Sequence, residues 1–139
     1  MGWIFDGNRP IYVQLLEQIR MRIVCGIYGP GEKLPPVREL AQEAAVNPNT
    51  MQKALAELER TGLIYAQRTS GRFVTEDIGL IRNSRLEIAL EKIDAFITAM
   101  QELGYTREEI AALIRQDQRA CHEEQEKGNT NSQAEEGAV

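Results

Sequence analysis

Asn49, Gln52 and Lys53 are the side chains with the most recognition chemistry to offer in this sequence. They lie inside a stretch, Lys33 to Arg60, that reads as two short helices joined by a tight turn. On the second helix Met51, Ala54, Leu55 and Leu58 recur at helical spacing and form a stripe about 100° wide, as a core-facing surface does. Asn49, Lys53, Ala56 and Arg60 point the opposite way, with Gln52 on the flank. That outer face is polar without being acidic. Long amide and amine side chains can reach base edges and phosphates. No nucleophile–base pair and no phosphate-cradling glycine loop stands out, which disfavours an enzyme.

The elements around these residues must hold them outward. Asn47 is a good N-cap and Pro48 a good first helical residue, because proline lacks an N–H that would be unpaired there anyway. The helix is predicted to reach about Thr61, on the order of 20 Å, enough to cross a major groove. Gly62 is the expected C′ residue. An ordinary αα-hairpin fits this segment equally well. The residues C-terminal to Gly62 break the tie: Leu63 to Gln67, then Arg68-Thr69-Ser70-Gly71, then Arg72 to Thr75 read as two short strands around a turn. A helix-turn-helix followed by a hairpin is a winged helix. Arg68 and Arg72 flank a tip of small residues, and arginine beside glycine suits a narrow, electronegative minor groove.

Upstream, Trp3, Ile4 and Phe5 read as an arm packing on the domain. A helix is predicted from Pro10 to about Gly26, with Tyr12, Leu15, Leu16, Ile19 and Ile23 on its core face and Gln14, Glu17 and Arg22 mainly off it. Gly29-Pro30-Gly31 is a turn cluster. The next helix begins near Pro36 and buries Val37, Leu40, Ala41 and Ala44. Arg38 falls in its first turn, where the helix dipole slightly disfavours a cation. A partner outside the helix, such as a DNA phosphate, then becomes attractive beside plain solvation or pairing with a nearby acid.

Length and charge set the frame. The 139 residues, 42 % hydrophobic, allow one domain plus a small appendage. The net charge of −5 argues against nucleic acid at first sight, but its distribution does not. Residues 1–75 hold nine Lys or Arg against seven Asp or Glu, and residues 76–139 hold seven against fourteen. An acidic second half can face away from a duplex. No run reaches the roughly 18 apolar residues of a membrane span, and the N-terminus lacks the features of a signal peptide. Cys25 and Cys121 read as reduced thiols of a cytoplasmic protein. His122 beside Cys121 cannot complete a tetrahedral zinc site without carboxylates or a second subunit, so no metal and no cofactor is expected.

Beyond a connector at 76–82, a helix is predicted from about Asn83 to Leu103. Leu86, Leu90, Ile93, Ile97 and Met100 are spaced 4, 3, 4, 3, a heptad seam that Ala89 and Phe96 widen. Gly104 breaks it. Thr106-Arg107-Glu108-Glu109 forms a capping box that starts a helix carrying Ile110, Leu113 and Ile114 to about Glu124. Two helices carry more apolar stripe than one short hairpin can bury, so a second copy of the chain is the expected partner for the seam. From Glu126 the chain is polar and aperiodic, as a disordered tail would be.

These residues resemble the GntR family of bacterial transcription regulators. The likeness covers Pro10 to about Val74, in order: P-I-Y-x-Q-L, G-x-Y-x-P-G-E-K-L-P, V-R-E-L-A, V-N-P-N-T, A-x-x-E-L-E, G-L-I and G-R-F-V. The short tail with L-G-Y-T-R-E-E-I resembles the YtrA subfamily, whose members carry an abbreviated dimerisation region in place of a full ligand-binding domain. The resemblance implies DNA contacts by Arg38, Asn49, Thr50, Gln52 and Lys53 and by the wing at Gly71 with Arg72; Lys33 and Arg68 complete the expected DNA-binding set. It also implies repression at short inverted repeats. Three positions depart from the family pattern. Pro36 replaces a capping serine, Ala45 replaces the usual glycine of the inter-helix turn, and Thr69 replaces a frequent wing glycine.

The expected architecture is mainly α with a small β-hairpin. It comprises a winged helix-turn-helix at 1–77, a helical dimerisation region at 78–125 with the interface on Leu86, Leu90, Ile93, Ile97 and Met100, and a tail at 126–139. The expected partners are double-stranded DNA and a second copy of the chain, with no membrane; an unknown small-molecule effector is left open. The alternative is a winged helix that binds a protein partner.

Overall fold

The computed structural model describes residues 2–117. Cys121, His122, the helix end expected near Glu124 and the tail from Glu126 lie outside the described residues. The element order is α1 (Ile11–Val24), α2 (Val37–Ala44), α3 (Pro48–Arg60), β1 (Ile64–Gln67), β2 (Gly71–Val74) and α4 (Ile78–Glu102). Residues 107–117 form a further helical stretch. No described helix is long and apolar enough to cross a membrane. The chain divides into two compact units between Ala89 and Leu90.

The core of the first unit obeys the helical periodicities. Leu15, Ile19 and Ile23 of α1, Leu40, Ala41 and Ala44 of α2, and Met51, Ala54, Leu55 and Leu58 of α3 are buried in one cluster with Leu34, Leu63, Ile64 and Val74. At roughly 25 cal/mol per Å² of apolar surface removed from water, such a cluster supplies the main drive for folding. The hairpin is antiparallel, with Ile64 opposite Val74 and Gln67 opposite Gly71. It closes on the core through Ile64 and Val74, while Tyr65 and Phe73 stack outside at 5.7 Å between ring centroids. The loop before α2 is laced to β2: Leu34 N–H donates to Arg72 O (2.9 Å) and Val74 N–H to Glu32 O (2.9 Å).

Two placements on α1 are corrected, while the arm packs on the domain as expected, with Trp3 and Phe5 against the core. Gln14 and Arg22 are not on an open face; they are 5 % and 3 % exposed. The arm covers them. Gln14 Oε1 accepts from Asp6 N–H (2.7 Å), its Nε2 donates to Asp6 O (2.7 Å) and Arg9 O (2.9 Å), and Gln18 clamps both backbone groups of Ile4. The Arg22 guanidinium lies over the Trp3 ring, 3.6 Å from its centroid. An amide can satisfy an N–H and a C=O together, so a polar side chain here fastens irregular backbone.

The connector at 76–82 is also corrected. Helix α4 starts at Ile78, five residues earlier than predicted. Asp77 Oδ1 accepts from Leu80 N–H (3.2 Å), which satisfies a free donor of the first turn. That turn packs Leu80 and Ile81 against the winged-helix core. Further along, Arg20 donates to Ser84 Oγ (2.7 Å) and to Glu87 Oε2 (2.7 Å), tying α1 to α4. In the second unit the capping box forms as predicted: Thr106 N–H donates to Glu109 Oε1 (3.3 Å) and Glu109 N–H to Thr106 Oγ1 (3.2 Å).

Candidate nucleic-acid interface

Helix α3 presents the polar face that its sequence pattern implies. Its start is capped by Asn47, whose Oδ1 accepts from Asn49 N–H at 2.8 Å, with Pro48 as the first helical residue. Its apolar stripe is sealed against α1 and α2. Asn49, Gln52 and Lys53 are exposed, and Thr50 is half-buried. Gly62, at φ +82, ends the helix; a Cβ there would lie 3.3 Å from Leu80 Cδ2. Both backbone handedness and space therefore favour glycine at that position.

The turn that aims α3 carries a strained residue. Ala45 has φ 54 and ψ 46, the left-handed region, and is the one non-glycine at positive φ among the described residues. Its N–H donates to Gln42 O (3.2 Å) and Val46 N–H to Ala41 O (3.0 Å), which satisfies two of the free carbonyls at the end of α2. At the other end of α2, Pro36 occupies the N-cap position and makes no side-chain cap bond. Arg38 is exposed in the first turn and enters no ion pair with a described residue.

At the wing, the basic residues separate into two kinds. Arg68 is exposed in the turn between the strands and enters no ion pair with a described residue. Arg72 is engaged: its Nε donates to Glu59 Oε1 on α3 at 2.6 Å, with both side chains largely covered. This ion pair braces the hairpin against α3. Lys33 joins the wing from the loop before α2. Its backbone bridges Phe73, and its Cε would lie 3.3 Å from a Cβ built on Gly71, which sits at φ +103. Lys33, Pro35 and Pro36 line one side of a groove of about 270 Å³, and Ser70, Gly71 and Arg72 the other. Thr69 needs no left-handed backbone, because the positive φ falls on Gly71 instead.

One residue of this surface departs from its sequence-based placement. Tyr12 shares the helical spacing of the α1 core residues, yet it is only half-buried, and the Lys53 ammonium lies 3.8 Å from its ring centroid. A tyrosine among aliphatic core positions is itself a signal, since its hydroxyl resists full burial. Arg60, at the far end of α3, pairs with Glu57 at 3.3 Å on an exposed surface, a contact worth little.

The second unit carries an unsatisfied stripe. Leu90, Ile93 and Phe96 are exposed, and Leu86 continues the same heptad pattern on α4 at 57 % exposure. Ile97 and Met100 are half-buried. Ile110 is buried, so the stretch at 107–117 does cover apolar surface, but Leu113 and Ile114 remain outside.

Comparison with known proteins agrees with this geometry. Residues 11–74 match the family described as "Bacterial regulatory proteins, gntR family". The chain is 39 % identical over 111 residues to the uncharacterized HTH-type transcriptional regulator YhcF of Bacillus subtilis (strain 168), covering 80 % of this chain and 92 % of that protein. It is 47 % identical over 71 residues to the HTH-type transcriptional repressor YtrA of the same organism, covering 51 % and 55 %. A solved GntR family transcriptional regulator from Listeria monocytogenes superposes with a TM-score of 0.75 at 43 % identity, covering 81 % of this chain and 98 % of that one. The DNA-binding domain of AraR, crystallised in complex with operator ORX1, matches at a TM-score of 0.50 and 32 % identity over 54 % of this chain and 99 % of that one.

Proposed function

The chain belongs to the GntR family of bacterial regulatory proteins, and from that premise we propose that it is a homodimeric repressor of the YtrA type. In this reading it acts in the cytoplasm on an inverted-repeat operator. The observation that carries the proposal is the open polar face of α3: Asn49, Gln52 and Lys53 stand in solvent while every core residue of the same helix is buried. Such a face, at the N-terminal end of a second helix, is what enters a major groove in helix-turn-helix docking. Support from outside the chain is the matching AraR domain on its operator and the naming of YtrA as a repressor.

Each residue has a proposed part. Gln52 and Asn49 read base edges, with Thr50 beside them; Lys53 and Arg38 neutralise phosphates; Arg68, with Lys33 alongside Gly71, tracks the minor groove. Arg72 supports the wing through Glu59, and its contact with DNA is secondary. The seam on α4, from Leu86 to Met100, is the dimerisation surface. A dimer places two weak half-site contacts on one operator, and the second becomes intramolecular once the first is made.

Selection of bound duplexes from a random pool tests the whole reading. Enrichment of a sequence with two-fold symmetry is expected. Gln52→Ala should then relax preference at one base position by about 1–3 kcal/mol, and Lys53→Ala should weaken all sequences evenly. Binding should fall steeply with salt through counterion release. No enrichment, or salt-insensitive association with a protein instead, would refute the proposal and favour a winged helix that docks a polypeptide.

A further inference from the structure

We infer that Tyr12 is a positioning residue of the DNA-facing surface, acting through Lys53; the inference rests on the DNA-binding reading above. Tyr12 lies in the first turn of α1, and Lys53 lies on the face of α3 that carries Asn49 and Gln52. The ammonium stands 3.8 Å from the ring centroid, inside the range of a cation–π contact. No carboxylate competes for it: no ion pair of the described residues includes Lys53. The ring is half-buried on α1, whereas the lysine is exposed, so the ring is the more confined of the two.

That asymmetry decides which partner positions which. A free lysine stem samples many rotamers, and an interface that orders it loses that freedom on binding. The Tyr12 ring restricts the stem before a duplex arrives. It contacts one side of the ammonium and leaves N–H donors on the other side for a phosphate, since an ammonium carries three. The other cation–π pair among the described residues makes a useful contrast. Arg22 over Trp3 involves a buried guanidinium and latches the N-terminal arm, so it holds structure together and presents nothing to a ligand.

The test uses the full chain and a duplex enriched from a random pool by the wild-type protein. Tyr12→Leu should weaken binding about 2- to 5-fold, the factor that an exposed cation–π contact corresponds to. Tyr12→Phe, which keeps the ring, should bind as the wild type does. Adding Tyr12→Leu to Lys53→Met should cost nothing further. The slope of affinity against salt should fall by about 1 for Lys53→Met and stay unchanged for Tyr12→Leu, because a misplaced lysine still meets its phosphate. Equal losses from Tyr12→Leu with and without Lys53, or a Tyr12→Phe variant as weak as Tyr12→Leu, would overturn the inference. A measurement that needs no variant is the proton NMR shift of Lys53 Hε in the free protein: ring-current shielding is expected, and an ordinary random-coil shift would overturn the contact. Failure of the wild-type chain to enrich any duplex is a different result, and refutes the DNA reading itself.

Discussion

Replacing Ala45 by glycine should stabilise the protein. At φ 54 and ψ 46 the alanine Cβ crowds the following carbonyl, a strain of roughly 1–2 kcal/mol for an L-residue in the left-handed region. Glycine removes the strain but adds freedom to the unfolded chain, which offsets about 0.4–1 kcal/mol. Ala45 is exposed, so deleting its methyl group forfeits little burial. The net gain should be about 0.5–1 kcal/mol. Urea unfolding at fixed protein concentration reads it as a higher midpoint with an unchanged slope. Ala56→Gly is the control: Ala56 is also exposed but sits inside α3, where glycine should cost about 1 kcal/mol. The two substitutions thus have opposite signs although the chemical change is the same. DNA affinity of Ala45→Gly should not move, because the backbone conformation that aims α3 is retained. A loss of stability at position 45 comparable to that at position 56 would refute the assignment of strain.

Arg68→Ala should weaken DNA binding and lower the salt slope by about 1 without changing stability, whereas Arg72→Ala should cost about 1–2 kcal/mol of stability by unpairing Glu59, as a double-mutant cycle with Glu59→Gln would measure. Indistinguishable behaviour of the two arginines would remove the distinction between tip and brace. Leu90→Glu combined with Ile97→Glu should convert a dimer to a monomer in sedimentation while leaving the winged-helix core folded, since Leu80 and Ile81 are untouched. Cutting the chain after Asp77 is a poorer test, because it also removes Leu80 and Ile81, which pack against the core. Burial, reinforced by nearby Glu43, Glu32 and Glu39 and opposed by Arg22, raises the Tyr28 pKa. The protonated ring therefore contributes stability that is complete below the unfolded value of about 10 and is lost as pH rises through the higher folded value. Tyr28→Phe should flatten that alkaline loss in a series of unfolding curves.

Much of the molecule is legible in local sequence. The stripe of Met51, Ala54, Leu55 and Leu58, the Asn47-Pro48 cap, the stop at Gly62 and the capping box from Thr106 to Glu109 are each decided within a few residues, and each appears where periodicity and capping chemistry put it. The hairpin likewise arises from two short strand-forming runs, Leu63 to Gln67 and Arg72 to Thr75, on either side of a turn that ends in Ser70-Gly71. Nearest-neighbour rules suffice for these because the competing conformations are also local.

Contacts between distant residues are not legible in that way. Gln14 and Arg22 look solvent-facing because α1 alone leaves them outside its stripe; the arm at Trp3 to Asp6 buries them. Helix α4 begins early because Leu80 and Ile81 find a core that a window of α4 does not contain. Which arginine is held and which is open depends on whether Glu59 lies within reach, and Tyr12 reads as a core residue as long as the position of Lys53 is unknown. Periodicity and caps act along the chain, so the elements and the polar face of α3 are written into the order of the residues. Which of the charged groups are already engaged is settled only on folding, because it depends on approach through space between segments far apart in the chain.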